Sequence, residues 1–576
     1  MSNEEQVIRN GETHYSLLIT HYFFTVLIIA TYLTTGILYA VNTPPWQVPD
    51  EPAHYNYIKY LAENYRFPVL QMGDYPHHYL EEIKARRFPP EMSIEPLRYE
   101  FHQPPLYYVL ATAVYKLFAG RLLPLRLLSV LLGCCLLWVA YHIAKEIFPK
   151  DEAVALGTTA FVAFVPMHIA ITAAVNNDTL AELILAVILW MLVRYVKLVG
   201  WSDGRMARWS KETPDHLTTR PMRGRAEGLG RFVGLGVLMG LGLLTKITTL
   251  VAIPVALVAV VVKEGWLEQR GKTPPPTRGR PVLSETEGLG GGGFCDTEGP
   301  PSPVPSLRGR GNALLAERLR RYLLPATCFL LPALLLTLPW FLRNVSVYGG
   351  LDILGLQRHD AIVVGQPRTA EWLAQFGATR FAHDFVLTTF RSFWAVFGWM
   401  GILVDQRIYL ILALLCAVVG LGLVLFATNY TNFTNLSSQK RMALGLLALS
   451  AFFTLLSYLW YNLTFVQHQG RYLFPALIPI GLAVALGLRE ILARDNVKVV
   501  ALLFLAGTLI LAAKGLITGD FNRLSILLLG GVAVAFGIKA LLSEKYDDLV
   551  FALPYLGLFG LDLICLFKFI VPYFQS

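Results

Sequence analysis

Residues 17–41 read LLITHYFFTVLIIATYLTTGILYAV, about 25 consecutive residues without an acid, a lysine or an arginine. A helix of that length outruns the roughly 30 Å of hydrocarbon in a bilayer, and the stretch is too long for the apolar core of a cleaved signal peptide. It is therefore read as a retained first membrane span. The rest of the chain agrees: 55% of residues are apolar and 15% charged, and mean hydropathy is +0.50. These values lie outside ordinary soluble usage and point to an all-α, polytopic integral membrane protein. Six cysteines (Cys134, Cys135, Cys295, Cys328, Cys416 and Cys565) are scattered, without CxxC spacing or adjacent histidines, so neither a disulfide framework nor a zinc site follows.

The net charge of +9 would suggest nucleic acid in a soluble protein, but here its distribution describes topology. Residues 201–231 carry seven Lys/Arg against four Asp/Glu, and residues 263–321 carry ten against seven. Both segments should face the cytoplasm. Residues 42–104 reverse the balance, nine acids against six bases, and should lie outside.

About thirteen spans follow, near 17–41, 123–146, 152–174, 179–199, 231–244, 247–263, 322–342, 403–427, 441–463, 472–490, 497–516, 524–541 and 548–572. Residues 105–120 are too short to span and should form a helix at the outer interface, where Tyr107, Tyr108, Tyr115 and Phe118 suit the depth. The expected organisation is a cytoplasmic N-terminus (1–16), an N-terminal membrane module (17–262) with an outside catalytic loop (42–122), a basic insertion (263–321), and a C-terminal module (322–576) with an outside loop at 343–402. Residues 271–312, with TPPPTRGR, EGLGGGG and PPSPVPSLRGRGN, cannot bury enough apolar area to fold and read as a disordered linker.

The next informative stretch is PDEPAHYNY, residues 49–57, just beyond the first span. Proline pre-sets the entry of a helix whose first turn contains Asp50, Glu51 and, one turn on, His54. An ordinary acidic N-cap competes with a catalytic reading of Asp50. Company in the same compartment favours catalysis: His102 and Gln103 in HQPPLYY, Arg126 in PLRLLS, Asp178 in NNDTL, Lys246 in LTKIT, Arg343 in PWFLRN, and Arg471 with Tyr472 in QGRYLFP. Ionisable residues in apolar segments are costly and usually face a cavity or a partner. Arginine suits bidentate phosphate contact and lysine offers a point charge. Outer carboxylates and cations on apolar helices fit sugar transfer from a lipid-linked phosphate, with cations holding the leaving group and one carboxylate deprotonating the incoming hydroxyl. A single displacement needs one base, so Asp50 takes that role and Glu51 supports it.

The ordered motif set, from PDEPAHYNY to QGRYLFP and including VYGG after PWFLRN, resembles the C-type membrane glycosyltransferase superfamily, in particular the protein O-mannosyltransferases and the aminoarabinose (lipid A) transferases. The resemblance implies an enzyme that takes a sugar from a polyprenyl-phosphate donor. It implies a catalytic aspartate in the first outside loop, matched by Asp50 with Glu51 completing an acidic pair. It implies a second acid in the next outside loop, matched by Asp178, and an arginine at the outer start of the second span, matched by Arg126. In the aminoarabinose transferases a lysine before the Pro-Pro pair binds the lipid phosphate. Gln103 stands there in this chain, after His102, which shifts that contact to Lys246, Arg343 and Arg471.

The expected function is therefore an inverting transferase at the outer face of the plasma membrane, acting on a lipid, glycan or protein acceptor, with membrane lipids and no nucleic acid as further partners. An oligosaccharide or polymer ligase of the same superfamily is the alternative within the class. A lipid-linked sugar flippase is the alternative outside it, although no internal repeat is visible and the candidate groups gather on one side. No cofactor is assigned. Asp50, Glu51, His54 and His102 offer oxygen and imidazole donors for a divalent cation, but their spacing is not diagnostic of one.

Overall fold

The first span continues on its N-terminal side as one helix, Asn3–Asn42, and helices make up nearly all of the computed structural model, which describes residues 3–197, 220–272, 307–429 and 436–575. The one sheet among the described residues is a two-stranded antiparallel hairpin, Val396–Phe397 against Ile402–Leu403. Among the described residues, eleven helices are long and apolar enough to cross a membrane, or twelve if a bent pair counts as one span. The expected count was thirteen, and two places account for the difference. The run at 152–174 is two helices, Glu152–Ala163 and Pro166–Thr172, bent by 63° where Pro166 starts the second. The run at 231–244 is the apolar end, Leu229–Leu243, of a helix that begins at Arg220, and it is too short to cross on its own.

Two further boundaries differ. Helices Ala252–Lys272 and Leu307–Tyr348 reach into both ends of the expected linker, of which residues 273–306 lie outside the described residues. Residues 105–120 do form a separate short helix, Leu106–Leu117, capped by Pro105.

The loop after the first span, expected outside, is the scaffold of the site. Pro52 in the first turn starts helix Glu51–Asn64, and Asp50 precedes it in the left-handed region (φ 67°). Aspartate tolerates that conformation better than most residues, and its own carbonyl accepts from the N–H groups of Ala53 and His54. Helices Glu51–Asn64 and Leu106–Leu117 are joined through Tyr57 and Tyr108, whose rings stack at 3.7 Å and 8°. The later hairpin reaches back over this loop, where Trp399 donates from Nε1 to the carbonyl of Trp46.

The C-terminal half approaches through a short 3-10 turn, Gly470–Ala476, with Pro475 inside it. A side chain at Gly470 would stand 2.3 Å from the backbone N of Phe393 and 2.4 Å from the carbonyl O of Thr389, so only glycine lets the turn lie against helix Thr369–Trp394. That close approach brings Arg471 to the first loop.

Candidate active site

Asp50 does not cap its helix with its side chain. Its carboxylate accepts instead from Arg471 Nη2 at 2.6 Å and from the Tyr99 hydroxyl at 3.0 Å. Arg471 lies 421 residues downstream, and its Nε is held by Gln469 Oε1 at 2.8 Å. Burial alone would raise the Asp50 carboxyl, but the Arg471 charge, followed by His54 and the hydrogen bonds, outweighs it and holds the group below the ordinary carboxylate value.

A second ion pair stands beside the first. Lys246 Nζ donates to Asp178 Oδ1 at 2.6 Å. Lys246 sits at the turn between helices Arg220–Leu243 and Ala252–Lys272, before a short 3-10 segment. The turn is tied down on two sides: the Thr245 carbonyl accepts from Asn177 Nδ2 at 3.1 Å and the Leu244 carbonyl from the Leu106 N–H at 2.8 Å. The charges of Arg471 and His54 reach Asp178 as well, so the two pairs form one electrostatic neighbourhood.

His54, one turn into its helix, hydrogen bonds through Nδ1 to the Tyr108 hydroxyl at 2.8 Å, and burial lowers its proton affinity. His102 donates from Nδ1 to the Tyr99 carbonyl and lies with its ring centroid 4.5 Å from that of His359. Burial pushes His102 down to about 4 and, with the neighbouring His102 ring adding, His359 down to about 3. Gln103 Oε1 accepts from Asn177 Nδ2 at 3.3 Å, bridging the two outside segments. Tyr472 packs against Tyr458 and Tyr461, with the Arg471 guanidinium 5.4 Å from its ring.

Glu51 and Arg126 form a separate, sealed pair. Both are buried, and Arg126 meets both carboxylate oxygens, Nε at 2.7 Å and Nη2 at 2.6 Å. Its remaining N–H groups donate to the carbonyls of Ala40, Thr43 and Pro44. All five guanidinium donors are thus spent, which leaves none for a phosphate. Glu51 also accepts from the backbone N–H groups of Trp46 and Val175. The pair ties together the end of the first helix, the Pro-rich entry and the segment before Asp178: Glu51 supports the loop that carries Asp50, as expected, whereas Arg126 is bound to it in place of the phosphate contact expected of it.

Arg343 also stands apart. Its guanidinium donates to the Pro68 carbonyl and to Asn344 Oδ1 and covers Trp340 at 4.7 Å and Tyr348 at 5.7 Å; among the described residues it bonds to neither ion pair. The expected convergence of cations is therefore carried by Lys246 and Arg471. No three His, Cys, Asp or Glu side chains come together as a cation site among the described residues, and Glu51 is turned toward Arg126, away from His54 and His102.

Two features are not legible in the sequence pattern. Glu100 joins the cluster with a buried Oε2 that has no hydrogen-bond partner among the described residues. The available signal was its position two residues before His102. One turn beyond Asp178, Glu182 Oε2 meets His168 Nε2 at 3.1 Å, both buried inside the apolar layer. An acid and a histidine within apolar runs were the signal there.

Residues 102–208 match the family profile described as dolichyl-phosphate-mannose-protein mannosyltransferase. The chain resembles the C-type membrane glycosyltransferases. No curated protein matches. Among solved structures, ArnT from Cupriavidus metallidurans bound to undecaprenyl phosphate is 15% identical at a TM-score of 0.46, over 94% of this chain and 76% of that one. The oligosaccharyltransferase AglB from Archaeoglobus fulgidus, in complex with an inhibitory peptide and a dolichol-phosphate, is 15% identical at a TM-score of 0.40, over 93% of this chain and 56% of that one. In this C-type glycosyltransferase-like chain the matched segment contains His102, Gln103, Arg126 and Asp178, whereas Asp50, Lys246 and Arg471 lie outside it.

Proposed function

We propose that the chain is an inverting glycosyltransferase that moves a sugar from a polyprenyl-phosphate carrier to an acceptor hydroxyl at the outer face of the plasma membrane. The observation that carries this reading is the meeting of two acids and two cations, Asp50 with Arg471 and Asp178 with Lys246, drawn from four distant segments of a membrane-spanning chain. The two pairs are partly open, unlike the sealed Glu51–Arg126 pair, and partly buried charges of both signs gathered in one place suit chemistry on a charged substrate.

The acceptor oxygen attacks the anomeric carbon, the bond from that carbon to the phosphate oxygen breaks, and the phosphate leaves with the electron pair. The acceptor proton passes to Asp50. Arg471 and Lys246 receive the charge that develops on the leaving phosphate, and Asp178 positions Lys246. Arg471 also tunes the base. While it holds Asp50, that carboxylate is a weak base. An arriving phosphate that draws Arg471 toward itself raises the proton affinity of Asp50, so the base gains strength when the donor is in place. Glu51 and Arg126 hold the loop that presents Asp50.

Asp50→Asn keeps the shape and removes the base. Transfer from a radiolabelled polyprenyl-phosphate sugar should fall at least about 10³-fold while extraction and monodispersity match the wild type. Transfer at the wild-type rate in this variant rules out Asp50 as the base.

A further inference from the structure

Three carboxylates around the site each have a cation: Asp50 has Arg471, Asp178 has Lys246, and Glu51 has Arg126. Glu100 has no such pair among the described residues. Its Oε2 is buried without a partner there, while the Gln103 side chain hydrogen bonds to the carboxyl and the Gln103 N–H donates to the Glu100 backbone carbonyl. The charged and titratable groups facing it are His54, Asp50 and Lys246, together with the hydroxyls of Tyr99, Tyr108 and Tyr461. A buried carboxylate oxygen left open beside three acids that each have a cation calls for a partner, and a bound ligand supplies one.

The role assigned to Glu100 rests on the proposed transfer reaction. Inverting transfer puts the anomeric carbon between the base, Asp50, and the leaving phosphate, which Lys246 and Arg471 receive. The buried Oε2 of Glu100 is open, and its carboxyl lies within electrostatic reach of Asp50, His54 and Lys246, the groups around which the sugar ring must sit. We propose that Glu100 is a sugar-binding residue of the donor site, exchanging hydrogen bonds between its carboxyl and a hydroxyl of the transferred sugar.

The protonation state suits that task. Burial raises the Glu100 carboxyl above its ordinary range and the nearby Asp50 charge adds to it, against the opposing effects of His54, Lys246 and the Gln103 hydrogen bond. A neutral carboxyl presents one donor and one acceptor, the complement of a sugar hydroxyl. It also leaves Asp50 and Asp178 each balanced by its own cation, so that an anionic lipid phosphate meets no further carboxylate charge from Glu100. An ionised Glu100 would lose the donor and place a negative charge beside the phosphate.

The test is equilibrium binding to the full chain in lipid nanodiscs, comparing undecaprenyl phosphate with undecaprenyl phosphate carrying mannose or glucose. The wild type should bind at least one sugar-bearing lipid more tightly than the bare phosphate. Glu100→Ala should weaken that lipid roughly 10- to 100-fold and change the bare phosphate by less than about threefold. Glu100→Gln, which remains a neutral donor and acceptor, should stay within about threefold for both. Raising the pH should erode the sugar-dependent gain in the wild type and leave it intact in Glu100→Gln, a comparison that serves even if the alanine variant does not fold. Equal weakening of bare and sugar-bearing lipid, a glutamine variant as weak as the alanine one, or the same pH dependence in Glu100→Gln overturns the inference and leaves the transferase reading standing. A wild type that binds no form of the lipid phosphate overturns both.

Discussion

Arg126 offers a sharp test, because the sequence and the structure give it different tasks. By motif it is a phosphate ligand; by geometry it is the clamp on Glu51. Arg126→Met keeps most of the side-chain volume and removes five donors at once. Glu51, fully buried, would be left with only the N–H groups of Trp46 and Val175, and the carbonyls of Ala40, Thr43 and Pro44 would lose their partner. Breaking a buried pair by deleting one member costs about 3–5 kcal/mol, since the other charge stays buried without compensation. At about 1.4 kcal/mol per factor of ten, local opening of the Pro44–Asn64 segment should become roughly 10²- to 10³-fold more frequent. Hydrogen exchange followed by mass spectrometry reads this directly, as a matching loss of protection in helix Glu51–Asn64 with the distant helix Arg494–Thr518 unchanged. The double variant Glu51→Leu/Arg126→Met removes both charges and should recover most of the protection, because an apolar replacement of the whole pair carries no stranded charge. The reasoning is refuted if Arg126→Met exchanges like the wild type while its Kd for undecaprenyl phosphate rises.

Two other outcomes are expected. Lys246→Met should lower kcat by about 10²- to 10³-fold, as expected for loss of a group that stabilises developing charge, whereas Asp178→Asn should cost about tenfold because Lys246 remains; steady-state kinetics on both variants checks the order. Stability should also respond to the His102 imidazole, whose folded value of about 4 lies below its ordinary 6.5. The unfolded chain takes up that proton first, so stability is full above pH 6.5 and declines by about 3 kcal/mol as the pH falls toward about 4. Melting temperatures recorded across that window should fall more steeply for the wild type than for His102→Gln.

Much of this molecule was legible in its residues because the bilayer is a demanding solvent. A helix that crosses it must be apolar along its whole length, and that requirement is local, so the spans appear as runs in the sequence. The local signal falls short at two places: Pro166 bends the apolar run 152–174, which the sequence reads as straight, and Leu229–Leu243 is apolar but short. Within the site, Asp50, Asp178, Lys246 and Arg471 could be nominated because charge near apolar segments is rare. Glu100 gave no such signal because it sits in a loop already rich in acids, where one more carboxylate does not stand out.

The sequence by itself determined a helical membrane protein, the separate short helix after the first long loop, and a short roster of ionisable residues. It could not pair them. Whether Glu51 faces the substrate or Arg126, whether Arg343 joins the other cations or stays over Trp340 and Tyr348, and which carboxyl keeps an open oxygen are decided by contacts between residues up to 421 positions apart. Hydrophobic periodicity is a property of neighbours in the chain. Charge pairing in a low-dielectric interior depends on distance and on how many donors are already spent, and only the folded helices fix those.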